Sequence, residues 1–89
     1  MIKHINIKIY GLVQGIFFRA TAKQEADKLN ITGNAKNLDD GSVYIEVEGE
    51  ENNLDKFVKW CNQGPSMAQV EKVVVIEDEI KNFSEFKVL

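Results

Sequence analysis

An α+β domain with one sheet and two helices is what the sequence predicts, and three observations predict it. Segments with a period-two apolar pattern are interrupted by two segments with apolar residues at helical spacing. Their order is β-α-β-β-α-β, followed by a short C-terminal strand. A turn signal joins the two central strands directly, as a hairpin requires. Two helices and a hairpin in this order give the ferredoxin-like split βαβ sandwich, an antiparallel sheet with both helices on one face.

Each element has its own signature. The first strand covers residues 3–10, with Ile5, Ile7 and Ile9 on one face and His4, Asn6, Lys8 and Tyr10 on the other. A helix is expected from about Arg19 to Asn30. Phe18, Ala22, Ala26 and Leu29 recur at helical spacing there, while Lys23, Gln24, Asp27 and Lys28 face water. Residues 31–37 form a weaker strand with Ile31, Gly33 and Ala35 inward, and Asp39, Asp40 and Gly41 make the hairpin turn. Val43, Ile45 and Val47 alternate in the next strand, which ends at Gly49. The second helix spans about Asn52 to Gln63, with Leu54, Phe57, Val58 and Cys61 as its buried stripe, and Gly64-Pro65 stops it. Residues 70–79 form a strand, and the tail from Phe83 to Leu89 supplies the last, short one.

Composition narrows the function classes. The 89 residues, 44% of them hydrophobic, suffice for one core, so a single domain over residues 1–89 is expected. No apolar run approaches the roughly 18 residues of a membrane span, and the first ten residues lack the apolar block of a signal peptide. A cytoplasmic protein, with no membrane partner, is therefore expected. Cys61 alone makes neither an internal disulfide nor a metal site. The formal net charge of −3 argues against nucleic-acid binding, which needs a basic surface. Tyr10 and Tyr44 share the open sheet face, but Glu46 and Glu48 crowd it, against base stacking. These glutamates, with Glu50 and Glu51, and the cluster Glu77, Asp78 and Glu79, read as solvated surface, since their spacing fits no ion-binding loop. No metal and no cofactor are implied, and His4 reads as a strand residue on the polar face. Nothing in the sequence demands more than a monomer.

Topology then brings separate segments together. The first two strands run the same way, with the third threaded antiparallel between them, so their carboxyl ends emerge at one end of the sheet, roughly 10 Å apart. Residues 11–19, GLVQGIFFR, leave the first strand at that end. Asn37 closes the second strand there, and Ser42 opens the third. Among the 11 lysines and arginines only Arg19 is arginine. A loop entering a helix presents unpartnered N–H groups, and glycines at positions 11 and 15 allow the bends that aim such groups into one concavity. Arg19 would add a rigid fork of donors that matches two phosphate oxygens, which lysine cannot supply. The same letters also fit a turn that needs Gly15 for shape alone. Phe17 and Phe18 read as core residues beneath the loop, and Gln14 as a residue able to bond the loop to itself. The stretch is neither a Walker loop nor a GxGxxG fingerprint.

The stretch from Gly11 to Arg19 resembles the signature of the acylphosphatases, enzymes that hydrolyse the carboxyl–phosphate bond of acyl phosphates. Gly33-Asn34-Ala35-Lys36-Asn37, with Gly41-Ser42-Val43 and Gly49, is similar to the family's second signature, and Gly64-Pro65 with Ala68 and Val70 to a third. The resemblance covers nearly the whole chain and implies metal-independent hydrolysis of small acyl phosphates, with inorganic phosphate as product and inhibitor. It also implies that Arg19 and the N–H groups of Gln14, Gly15, Ile16, Phe17, Phe18 and Arg19 bind the phosphoryl group and that Asn37 positions the attacking water. Ser42 either orients Asn37 by a hydrogen bond or simply begins a strand. One departure stands out: Asn34 replaces a usual aromatic, on the strand face opposite Gly33 and Ala35. A regulatory module that binds phosphate without hydrolysis would keep Arg19 and the loop but would not need Asn37. A carbamoyl-phosphate-handling domain, as found at the front of larger maturation proteins, is a related possibility.

Overall fold

Seven elements follow one another in the computed structural model, which describes residues 1–89 throughout. They are β1 (Ile2–Leu12), α1 (Phe18–Lys28), β2 (Thr32–Asn37), β3 (Val43–Glu50), α2 (Glu51–Gln63), β4 (Gln69–Asp78) and β5 (Phe86–Val88). The sheet order is β4-β1-β3-β2-β5. β3 lies antiparallel between β1 and β2, which therefore run the same way.

Register explains why the alternating isoleucines matter. Ile5 pairs with Val47, Ile7 with Ile45 and Ile9 with Val43 across β1 and β3, while Ile7 and Ile9 meet Val75 and Val73 of β4. Inward residues of one strand thus lie opposite inward residues of the next, and a slip of one position would turn them all to solvent. From α1 come Phe18, Ala22 and Ala26, and from α2 Leu54, Phe57 and Cys61, all buried in one cluster with the inward strand residues. Each large side chain fully buried this way contributes about 1.5–3 kcal/mol. Trp60 closes the margin, edge-on to Phe18 at 5.2 Å and tilted against Phe57 at 5.9 Å. Burial pushes the Cys61 thiol far above its ordinary pKa, as suits an inert core residue.

Three features depart from the sequence reading. β1 continues past Tyr10 to Leu12, because a bulge at Tyr10/Gly11 shifts its register against β4. Only glycine fits the bulge: Gly11 has φ 128°, and a Cβ there would lie 2.1 Å from the Gln69 carbonyl oxygen. β5 adds to β2 in parallel, pairing Gly33 with Phe86 and Ala35 with Val88, so the five-stranded sheet is mixed. The third departure concerns the face expected to be open.

β4 and β5 occupy opposite edges, so the segment joining them must cross three strands. It crosses the face away from the helices and covers His4 and Glu48, which are buried rather than solvated. His4 Nδ1 lies 2.8 Å from Glu48 Oε2, and Phe83 sits over the imidazole at 5.9 Å between ring centroids. Glu48 also accepts hydrogen bonds from the backbone N–H groups of Lys81 and Phe83. Burial alone would raise its carboxyl pKa, but these bonds and the one from His4 outweigh it and hold it below the usual range. Sequence alternation places these residues on the correct face but carries no information about what lies on top of it.

Candidate active site

The site begins where β1 ends. Val13 is buried and anchors the loop, Gly15 turns it with φ 78°, and Phe17 enters α1 in the left-handed region with φ 65°. No side chain caps the helix at Phe17. No backbone N–H group from Gln14 to Ala20 donates to a backbone carbonyl; the first such bond of the segment is from Thr21 N to Phe17 O at 3.0 Å. A run of free donors at a helix N-terminus, where the macrodipole is positive, is an anion-binding arrangement.

Beside this loop lies a pocket of about 220 Å³. Gly15, Phe17, Arg19 and Asn37 line it, and the apolar Val13, Phe18, Ala20 and Val88 complete its wall. None of these lining residues is acidic. Arg19 stands in the first turn of α1, half-buried, and Nη1 of its guanidinium donates to the carbonyl of Leu89. Leu89 N in turn donates to Ala35 O at 2.8 Å, which continues the β5–β2 pairing beyond Val88. Asn37 is the exposed last residue of β2. Two chain segments of different origin therefore face one cavity. No group of three or more His, Cys, Asp or Glu side chains is placed to hold a metal ion.

The remaining residues of the loop are placed otherwise. Phe18 is buried, but Phe17 is 80% exposed, contrary to the expectation of a core residue, because its left-handed backbone turns it outward at the helix entrance. Ile16 packs partly buried against the core. Gln14 bonds to neither the loop nor the pocket. Its Nε2 donates to Leu38 O at 2.8 Å and to Ser42 O at 2.9 Å, both in the β2–β3 turn. Ser42 is buried, and its hydroxyl donates to Asp40 Oδ1 at 2.5 Å, so it serves the turn and not the Asn37 side chain. The Ser42 hydroxyl and N–H, with Lys8 Nζ 3.0 Å from the other carboxylate oxygen, hold the Asp40 carboxyl well below the usual range. Asn34 lies on the face away from the core, opposite Glu46. Val88 and Leu89 were not legible as site residues, since a three-residue strand carries almost no pattern.

The chain is similar to known proteins along most of its length. The Acylphosphatase family model matches residues 5–88. An acylphosphatase of Rubrobacter xylanophilus is 41% identical over 76 residues, which span 85% of this chain and 69% of that protein. An acylphosphatase of Methylococcus capsulatus is 38% identical over 88 residues, 98% of this chain and 96% of that one. The crystal structure of acylphosphatase from Bacillus subtilis superposes with a TM-score of 0.95 at 36% identity, covering 100% of this chain and 99% of its own.

Proposed function

This chain belongs to the acylphosphatase family, and from that premise we propose how its residues divide the reaction. The enzyme hydrolyses the carboxyl–phosphate bond of acyl phosphates. In our reading the phosphoryl group sits against the N–H groups of Gln14, Gly15, Ile16, Phe17, Phe18 and Arg19. The Arg19 guanidinium binds its oxygens from the side. Phosphoryl transfer spreads charge over the non-bridging oxygens, so preorganised donors are the chief catalytic requirement.

Asn37 holds the attacking water. A neutral carboxamide can orient water by hydrogen bonding beside a dianion, where a carboxylate would repel the substrate. Water oxygen attacks phosphorus, the bond from phosphorus to the acyl oxygen breaks, and its electron pair leaves on the carboxylate. The water's proton passes to a phosphoryl oxygen, and a carboxylate leaving group needs no general acid. The products are a carboxylate and inorganic phosphate, which binds the same donors and therefore inhibits.

The observation that supports this reading most is the unpartnered N–H run from Gln14 to Ala20 beside a pocket that also takes in Arg19 and Asn37. The whole arrangement comes from one chain, so a single domain over residues 1–89 acting as a monomer is part of the proposal. A cytoplasmic location is part of it too, resting on the ordinary globular composition. Phosphate release from acetyl phosphate in the presence of a chelator tests the reading. Undiminished turnover, blocked competitively by inorganic phosphate, is expected, and no release from any simple acyl phosphate would overturn it.

A further inference from the structure

We propose that Gln14 is a positioning residue whose side chain sets the distance between the phosphate cradle and the water-holding Asn37. The inference rests on the reading that Asn37 orients the attacking water. Gln14 is exposed, yet its side-chain nitrogen is fully engaged. A carboxamide nitrogen carries two hydrogens, and here it has two acceptors, Leu38 O at 2.8 Å and Ser42 O at 2.9 Å. Both acceptors belong to the turn that starts immediately after Asn37. The backbone of Gln14 belongs to the run of free donors. One residue thus spans the two halves of the site, its main chain in the cradle and its side chain on the tip of the β2–β3 hairpin.

The turn end of the strut is itself rigid. Leu38 N donates to Ser42 O at 2.9 Å and Gly41 N to Leu38 O at 3.1 Å, so both acceptors are already fixed by the turn. Asp40 locks the turn from within through Ser42 N at 3.0 Å and the Ser42 hydroxyl, and Lys8 of β1 holds Asp40 from outside at 3.0 Å. A mobile turn would give the amide nothing to register against. Against a fixed one, the two bonds hold the loop at one separation from Asn37. In-line attack depends on such separations, and a shift near 1 Å can cost about a hundredfold in rate.

The test compares wild type, Gln14→Leu, Asn37→Ala and the double variant on acetyl phosphate, with inorganic phosphate as competitive inhibitor. Gln14→Met, of similar length and uncharged but without the donor pair, serves as a second variant. Both Gln14 variants are expected to lower kcat roughly tenfold to a hundredfold, while the phosphate inhibition constant stays within about threefold. In the Asn37→Ala background the Gln14 substitution should cost nothing further, because no held water remains to be misplaced. Losses that multiply in the double variant would overturn the proposal, as would a phosphate affinity that falls in step with kcat. A wild type without turnover would instead remove the reaction itself, and the strut with it.

Discussion

Arg19, in the first turn of α1, and Asn37, the last residue of β2, line the same pocket. Parallel β1 and β2 with β3 between them bring this about: the loop leaving β1 and the end of β2 reach one edge of the sheet together. A fork of donors and a neutral carboxamide then face a common space.

Truncating the fork should remove both binding and turnover. For Arg19→Ala, kcat/KM on acetyl phosphate is expected to fall by about a hundredfold or more. Arg19→Lys should recover only a small part, since an ammonium keeps the charge without the planar fork. Steady-state kinetics with phosphate inhibition checks both.

Asn37 should behave differently. Asn37→Ala is expected to lower kcat while the phosphate inhibition constant changes little. Asn37→Asp should weaken phosphate binding as well, because its carboxylate would face the dianion at neutral pH. Equal affinity for phosphate in the Asp and Ala variants would contradict a water site placed beside the phosphoryl group.

Stability at low pH should track Glu48. Its folded carboxyl pKa lies below the ordinary 4.5, held there against burial by the Lys81 and Phe83 N–H groups and His4. A depressed carboxyl contributes its full stability above the unfolded pKa and loses it as pH falls through the folded value. Glu48→Gln should therefore lower Tm at pH 7, and the gap to wild type should narrow as pH drops below about 4.5. Thermal melts across acidic pH measure this, and a gap that stays constant would disprove the linkage.

The C-terminal strand should matter to both fold and site. Phe86 is buried against Phe57, with ring centroids 6.4 Å apart. Its carbonyl accepts from Lys23 Nζ at 3.0 Å. Phe86→Ala is expected to cost about 3–5 kcal/mol in urea melts. The surviving folded enzyme should also turn over more slowly, since β5 leads into the Leu89 carbonyl that receives Arg19.

Much of this was legible in the letters. Ile5, Ile7 and Ile9 announce their strand because burial on one face imposes a period of two. Phe18, Ala22 and Ala26 do the same for a helix lying close to a sheet. Arg19 and Asn37 could be placed at one end of the sheet from strand order alone. The rest depends on contacts that leave no periodic trace. His4 and Glu48 alternate as exposed residues would, and only the crossing of residues 79–85 from one sheet edge to the other buries them. Phe17 reads as core beside Phe18, but its backbone conformation turns it outward. The parallel pairing of β5 rests on three residues, too few to show a direction.

The loop N–H groups, Arg19 and Asn37 are expected to form one phosphate pocket. Titrating isotopically labelled protein with inorganic phosphate and following amide chemical shifts tests it most directly. Saturable shifts confined to the amides of Gln14 to Ala20, together with the Asn37 side chain, are the expected result, and they should vanish in Arg19→Ala. Shifts centred elsewhere on the molecule, or none in the loop at saturating phosphate, would mean that these groups do not bind phosphate together.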